Sequence, residues 1–293
     1  MGLVSIIVLS YNNLERLTQT IDSIYRQDYE NMEVILSDDG SEEYDSLLIE
    51  SCEKMLKKKN IVSHSFHNKE NMGTVRNFNN AIRASNGEYI IPLSCGDKFR
   101  KSTSVSHIVR RFVQTGSLIL TARRRCLQED GMVEIRPTDK QVKLIQKGGK
   151  TLLQALCWDN FISGSCTYYS REIFDVVGMF DERMRLLEDA PFYIRCLLGK
   201  INIDFLDEVV IDYDVNGVSS GTVPNPILEK DKRIMRQSLI YPNCDKTGRY
   251  LCKGLAARAY KLNCGGRKKN LLSYYLRHAD VFFYKLWMHV KYS

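Results

Sequence analysis

No window of about 18 residues in this 293-residue chain is free of charge and turn formers, so a bilayer-spanning helix is excluded and any membrane contact must be peripheral. The nine cysteines include no CxxC pair and no metal-finger spacing, and they read as reduced thiols. Met1 to Leu9 enters a strand pattern with neither a charged leader nor a cleavage site, so a cytoplasmic location is expected. There is no internal repeat. Negative charge is nearly missing from the end of the chain: from residue 251 onward nine basic residues face one acid, Asp280, giving +8 of the total +7 and leaving the first 250 residues near −1. A neutral body with a basic tail argues against nucleic acid spread over the whole surface and for a local anionic partner.

Hydrophobic residues at 44% and charged residues at 26% are ordinary for a globular protein. The length suits one large α/β domain with an appendage. Val4 to Leu9 is an apolar run of strand formers, and Asn12 and Asn13 are placed to cap a helix whose apolar face carries Leu14, Leu17, Ile21 and Ile24. Three more strands are expected at Glu33–Ser37, Ile61–Phe66 and Glu88–Leu93, alternating with helices at Tyr44–Lys58 and Thr74–Ser85. This alternation predicts a parallel sheet with helices on both faces, whose ligands sit beyond the carboxyl ends of the strands. Further on, a helix near Thr103–Thr115, a strand at Leu118–Ala122 and a hairpin around Glu129-Asp130-Gly131 are expected. Strands follow at Phe161–Tyr169, Ile201–Leu206 and Glu208–Tyr213, with short helices at Arg171–Val177 and Ala190–Leu198; after about Pro224 the pattern is helical to the end.

The loops after the first four strands hold Ser10-Tyr11-Asn12, Asp38-Asp39-Gly40-Ser41, Asn68 to Arg76, and Ser94-Cys95-Gly96-Asp97. In this order and spacing the pieces resemble the family 2 glycosyltransferases: an apolar strand ending in Tyr-Asn, a strand ending in Asp-Asp-Gly-Ser, then Asn-x-Gly-x-x-x-x-Arg-Asn, then Gly-Glu-Tyr-Ile before an acidic metal motif. The likeness is close over roughly the first 100 residues and looser to about 215. It implies an α/β fold of the GT-A type, Rossmann-like and mostly parallel, with a helical C-terminal extension. Residues 1–222 would form the catalytic domain, split into a nucleotide-binding half (1–100) and an acceptor half (101–222), with 223–293 as the basic extension. The implied activity is inverting transfer of a single sugar from a nucleotide diphosphate sugar, favouring UDP, to a glycan or polyprenyl-linked glycan acceptor in capsule, O-antigen or exopolysaccharide synthesis. No Gln-x-x-Arg-Trp signature of processive synthases is present, and no Gly-x-Gly-x-Arg loop of a nucleotidylyltransferase follows Leu9.

The resemblance gives Tyr11 the role of stacking on the base and Asp39 that of reading the uracil N–H, with Asp38 supporting the loop or the ribose. Asn71-Met72-Gly73 opens a helix carrying Arg76, a start suited to diphosphate oxygens. Where the family shows Asp-x-Asp-Asp, this chain has Ser94, Cys95, Gly96 and Asp97, so only Asp97 is left to hold Mg2+ or Mn2+ against the diphosphate. The thinned motif leaves a rival reading, a non-catalytic nucleotide-sugar-binding subunit. Glu188-Asp189 resembles the family's acidic pair, with Asp189 as the base that deprotonates the acceptor hydroxyl and Glu188 beside it. Acids at a helix start also compensate the helix dipole. Phe161 to Ser165 falls where related enzymes line the acceptor, and Gly164 would admit a close approach.

Leu271 to Lys291 is amphipathic on a helical wheel. Leu272, Tyr275, Leu276, Phe282, Phe283, Leu286, Trp287 and Val290 share one half, and Arg277, His278, Asp280, Lys285, His289 and Lys291 the other. Two readings follow: an interfacial helix on an anionic membrane at the inner face of the cell, or an apolar face packed on the body or on a second subunit in a homodimer.

Overall fold

The structure, a computed structural model, describes residues 2–127, 131–214, 225–263 and 278–292. Nine strands form a single sheet in the order β3-β2-β1-β4-β8-β6-β9-β5, with β7 paired to β6. The first half follows the expected alternation: β1 (Val4–Ser10), α1 (Leu17–Tyr25), β2 (Met32–Asp38), α2 (Ser46–Lys57), β3 (Val62–His67), α3 (Thr74–Ala84) and β4 (Tyr89–Ser94). These four strands pair in parallel. Beyond them the sheet is mixed, because β8 (Thr167–Ser170) runs antiparallel to both β4 and β6 (Ile119–Leu127), while β9 (Asp204–Tyr213) lies parallel to β6 and antiparallel to β5 (Lys98–Phe99). Successive residues of a strand face opposite sides, so β1 feeds two cores. Ile7 joins Val75, Phe78, Tyr169 and Phe192 on one face, and Ile6 and Val8 join Leu17, Ile21, Leu36 and Ile49 on the other.

Several details differ from the sequence-based expectation. Phe161–Tyr169 is strand only from Thr167; Gly164–Cys166 is a 3-10 turn that turns the backbone toward the start of α8 (Asp189–Leu198). The two strands expected at 201–213 are one, β9, whose register shifts around Asp207 and Glu208 where it meets Ala122 and Arg123. Asn13 precedes a 3-10 turn, Leu14–Arg16, and its side chain caps no helix; its Oδ1 accepts from the Tyr11 amide (3.1 Å). Two helices were not anticipated, α5 (Asp139–Lys147) and α6 (Gly149–Trp158). Thr138 and Gln141 close a capping box at the start of α5, and Gly148 at φ +57° separates the two. The expected hairpin is present as antiparallel pairing of β6 with β7 (Val133–Arg136), its turn at 128–130 lying outside the described residues. The remaining helices are α4 (Ser104–Thr115), α7 (Glu172–Val177), α9 (Pro226–Met235), α10 (Cys244–Thr247), α11 (Arg249–Asn263) and α12 (Ala279–Tyr292).

The C-terminal extension shares the body's core. Met235, Ile240, Leu251 and Leu255 are buried against the same cluster as Phe192 and Tyr193 of α8. Asp231 of α9, 1% exposed, reaches into the loop before α8 and accepts the amides of Arg185 (2.9 Å), Leu186 (2.7 Å) and Leu187 (3.3 Å) through one oxygen, Oδ2. A buried carboxylate taking three amides makes charge-assisted bonds whose loss strands three donors.

Replacing Asp231 with Ala should therefore destabilise the fold by about 3 kcal/mol, read by urea unfolding, while Asp231→Asn, which keeps an acceptor oxygen, should cost clearly less. Equal stability of wild type and Asp231→Ala would show that the tie is not carrying the loop.

Candidate active site

Parallel pairing in register brings the carboxyl ends of β1 to β4 to one edge: Ser10 lies beside Asp38, Asp38 beside His67, and Leu9 beside Ser94. Asp38 turns inward and is fully used. Its Oδ1 accepts from Ser10 Oγ (2.9 Å) and Ser41 Oγ, and its Oδ2 accepts from the Ser41 amide (2.8 Å) and meets His67 Nδ1 (2.8 Å). Burial alone would raise its pKa; the Ser41 hydroxyl and amide, His67 and Ser10 outweigh it and hold the carboxyl below its usual range. Asp38 is thus a loop organiser. The turn it braces carries Tyr11, 43% exposed, while Asn12 fastens that turn to the next loop through Ser41 Oγ (2.8 Å) and the Glu42 amide (3.1 Å).

Asp39, buried beside it, points the other way. Its Oδ1 accepts from the Met72 amide (2.9 Å) and Asn68 Nδ2 (3.1 Å), and its Oδ2 from the Gly73 amide (2.8 Å). Gly73, at φ +92°, is where two segments touch: a Cβ there would stand 2.6 Å from the Arg185 carbonyl oxygen. Only glycine fits. Arg185 completes the joint, its carbonyl accepting from the Val75 amide (3.1 Å) and its guanidinium donating to the Asn71 carbonyl and side chain (2.7 and 2.8 Å). The amides of Met72, Gly73 and Val75 are therefore already engaged within the chain, and Arg76 is the cationic side chain in the first turn of α3. That side chain is half exposed and pairs with Glu182 (3.4 Å), with no direct contact to the Asp39 network.

Asp97, 1% exposed, sits after β4. Its Oδ1 accepts from the Asp214 amide (2.8 Å), and its Oδ2 is buried with no hydrogen-bond partner among the described residues. Burial raises its pKa to about 7 against the pull of the Asp214 amide and the Arg124 guanidinium, with the Asp214 carboxylate adding to the rise. Gly96, at φ +106°, lies under Asp214, whose Oδ2 would be 2.8 Å from a Cβ at position 96. The space an acid at 96 would need is taken by Asp214, which is paired in turn with Arg16. Arg124 of β6 lies over the Tyr213 ring (3.9 Å), reaches Ser165 Oγ (3.4 Å), and has a buried Nε with no hydrogen-bond partner among the described residues. Among the described residues no three His, Cys, Asp or Glu side chains gather as a metal group. The orphaned Asp97 oxygen nevertheless fits a divalent cation whose other ligands come from a substrate, the usual manner for Mg2+.

Glu188 and Asp189 stand at the start of α8, against the 163–165 turn. Gly164 lies close under the pair: a Cβ there would stand 2.8 Å from Glu188 Oε1 and 3.6 Å from Asp189 Cβ, so a larger residue would displace the Glu188 carboxyl. Asp189 accepts from the Ala190 amide, from Asn160 Nδ2 (3.0 Å) and from the Gly164 amide. Burial raises both carboxyls, and each raises the other's cost of ionising. The three donors favour the ionised form of Asp189, so Glu188 is the member that holds its proton, pushed up to about 8.

These contacts close a ring. From the end of β1, Asn13 Nδ2 donates to the Cys95 carbonyl (3.0 Å) beside Asp97; Asp97 interacts with Arg124, and Arg124 with Ser165. Gly164 abuts Glu188-Asp189, Arg185 abuts Gly73, Gly73 binds Asp39, and the Asp39 amide returns to the Ser10 carbonyl (2.9 Å). A chain of contacts thus links the segments that carry Tyr11, Asp39, Gly73, Asp97, Glu188 and Asp189, with Asp38 bracing the first of them, and Arg76 pairs with Glu182. Arg124, Arg185, Asp214 and Asp231 belong to the site and were not singled out in the sequence. For Arg124 a signal existed: in Arg123-Arg124-Arg125 the outer two pair with Asp207 and Asp212, so strand alternation puts the middle one on the opposite face.

Comparison with known proteins gives a match to the family described as Glycosyl transferase family 2 over residues 5–178. An "Uncharacterized glycosyltransferase EpsJ" of Bacillus subtilis is 27% identical over 225 residues, which are 76% of this chain and 64% of that protein. The chain therefore spans less than two thirds of that relative's length. Among solved structures, S. aureus TarS 1-349 in complex with UDP-GlcNAc superposes with a TM-score of 0.65 at 15% identity, covering 88% of this chain and 73% of that one. The mannosyltransferase PcManGT of Pyrobaculum calidifontis, in complex with GDP-Man and Mn2+, gives 0.59 at 16% identity over 99% and 87%. At such identities the superpositions establish a shared fold, a mixed sheet flanked by helices of the GT-A kind.

The raised Glu188 pKa has a sign that can be checked. A carboxyl raised from 4.5 to about 8 contributes stability that is complete below the lower value and is lost as pH rises through the upper one. The unfolding free energy gained or lost by Glu188→Gln, measured in urea at pH 5, 6.5 and 8, should shift in the mutant's favour as pH rises. A pH-independent difference would place the proton elsewhere.

Proposed function

The chain belongs to glycosyl transferase family 2, and on that premise we propose that it moves a single sugar from a nucleotide diphosphate donor, a UDP-sugar, to a hydroxyl of a glycan or polyprenyl-linked glycan, with inversion, in capsule, O-antigen or exopolysaccharide synthesis. The observation that carries the reading is the ring of contacts that joins Asp97 and Asp189, 92 positions apart in the chain, at one edge of the sheet. The donor class is supported by the UDP-GlcNAc and GDP-Man held by proteins of the same fold.

In this reading Tyr11 stacks on the base and Asp39 accepts the uracil N–H at Oδ2, which accepts one hydrogen bond, from the Gly73 amide, among the described residues. Asp38 keeps both loops in place, and Arg76 contributes positive charge at the start of α3. Asp97 holds Mg2+ or Mn2+ together with donor phosphate oxygens, and Arg124 places a second positive charge nearby. When bound, such a cation supplies charge that stabilises the departing diphosphate. Asp189 takes the proton of the acceptor hydroxyl; the freed oxygen bonds to the anomeric carbon from the face opposite the diphosphate, and the breaking C–O bond leaves its electron pair on the phosphate. The carboxylate is suited to this because three donors favour its ionised form against the rise that burial causes, while Glu188, pushed up to about 8, keeps a proton beside it. The protein acts at the cytoplasmic side in this reading; among the described residues no helix is long and apolar enough to cross a membrane.

Asp189→Asn should lower kcat for transfer about a hundred- to ten-thousandfold with the Tm little changed, measured as nucleoside diphosphate release with a panel of UDP-, dTDP- and GDP-sugars. Full activity of the variant would remove Asp189 as the base, whereas a wild type that binds a nucleotide sugar but transfers from none of the panel would favour a non-catalytic binding subunit. Mn2+ with UDP should raise the Tm of the wild type by roughly 3 °C and leave Asp97→Asn unshifted; equal shifts in both would remove Asp97 from the cation site.

A further inference from the structure

Gly96 stands where the Asp-x-Asp-Asp pattern has an acid, yet a carboxylate is present at that place. Lys98 and Phe99 of β5 pair antiparallel with Asp212 and Ile211 of β9. Carried two residues further toward the end of β9, the same register sets Asp214 opposite Gly96. The contacts agree, because a Cβ at 96 would stand 2.8 Å from Asp214 Oδ2 and 3.4 Å from Asp214 Cβ. With φ at +106°, the backbone at 96 is also one that a side chain would strain. The acid missing from the loop after β4 is replaced in space by one from the end of β9.

Asp214 is built into the corner that holds Asp97. Its amide donates to Asp97 Oδ1 (2.8 Å), and Asp97 Oδ2 is buried with no hydrogen-bond partner among the described residues. The Asp214 carboxylate pairs with Arg16, and its charge raises the pKa of Asp97, so the two acids are close enough to repel. Arg16 and Arg124 nearly offset them, which leaves the corner with little charge of its own to set against a diphosphate. A divalent cation supplies that charge and relieves the repulsion. Mg2+ is ordinarily held by one or two carboxylates together with substrate phosphate oxygens and water. Asp97 and Asp214 meet that number without a third acid. We propose that Asp214 is the second carboxylate ligand of the divalent cation, supplied by β9 in place of the acid that the loop after β4 lacks. Arg16 is then a positioning residue that holds the Asp214 carboxylate over Gly96. The inference rests on the reading of Asp97 as a cation ligand and extends it to a second strand.

Mn2+ would be titrated into the full-length protein with UDP present and no sugar donor, free Mn2+ being read from its electron paramagnetic resonance signal, so that no turnover enters the measurement. Asp214→Asn keeps the size of the side chain and an acceptor for Arg16 but loses the charge. It should weaken Mn2+ binding by at least about tenfold, the loss that even an outer-shell partner of a metal carries. Arg16→Met, which leaves the carboxylate, should weaken it less. Asp214→His exchanges an oxygen ligand for an imidazole and should move the preference from Mn2+ toward Zn2+ relative to wild type, a change that a purely structural role would not produce. Mn2+ bound as tightly by Asp214→Asn as by wild type, equal losses in Asp214→Asn and Arg16→Met, or an unaltered metal preference in Asp214→His would each overturn the proposal and leave the Asp97 site standing. A wild type that binds no Mn2+ with UDP would remove the Asp97 cation site itself, and this ligand with it.

Discussion

The arrangement depends on holding one short segment, 185–189, between two anchors. On one side Asp231 gathers three consecutive amides with a single oxygen; on the other, the Arg185 carbonyl and guanidinium are fastened to 71–75 across a contact that only glycine at 73 permits. Backbone amides pulled toward one point leave little freedom in φ and ψ. The segment therefore enters α8 at a fixed angle, and Glu188 and Asp189 arrive against Gly164 instead of fraying as an exposed helix start. Through Asp231 this placement depends on α9, so the extension takes part in building the site it follows in sequence.

Charge is arranged with similar economy. The acidic motif after β4 is reduced to Asp97, yet the corner is not short of carboxylates, because Asp214 comes from the end of β9 and fills the space above Gly96. Arg16 balances Asp214 and Arg124 offsets part of the cost of burying Asp97. Among the described residues, one buried oxygen, Asp97 Oδ2, and one buried N–H, Arg124 Nε, have no hydrogen-bond partner at this corner. Unpaired groups of opposite character at one corner are costly to the free protein and are of use only to something that brings its own charge, as a diphosphate with its counter-ion does. At the other end of the ring the two acids are adjacent and both raised by burial, and Asp189 has the larger set of donors, the Ala190 and Gly164 amides and Asn160, which favours leaving a proton on Glu188.

The sequence displayed the parallel half of the fold because each element there obeys a local rule: apolar runs for β1, β2 and β4, a 3.6-residue period for α1 and α3, and turn residues between them. The middle was harder for physical reasons. The helices α5 and α6 begin at a polar capping box and a pair of glycines, which read as loop until Val142, Leu144, Ile145, Leu152 and Leu153 are seen to share a buried face. The bulge in β9 breaks its alternation, so one strand reads as two. Tyr11, Asp39, Asp97 and Asp189 were legible as residues attached to strand ends or helix starts. Arg185 and Asp231 were not, since their work is done on backbone amides and carbonyls of distant segments, which leave no trace in spacing.

Asp38 and Asp39 illustrate how a motif of two identical residues divides into two functions. Adjacent positions at the end of a strand point to opposite sides, and here one side meets Ser41 and His67 and the other the 68–73 loop. Asp38 meets four partners within its own loops and is held ionised by them, which fixes the shape of the Tyr11 turn. Asp39 meets the 68–73 loop, which is itself tied to Arg185. A displacement of Asp39 would therefore be transmitted through Gly73 to the segment that carries Asp189, whereas one of Asp38 would be absorbed by Ser41 and His67. The second aspartate is mechanically linked to Asp189 at the far side of the ring, and the first is insulated from it.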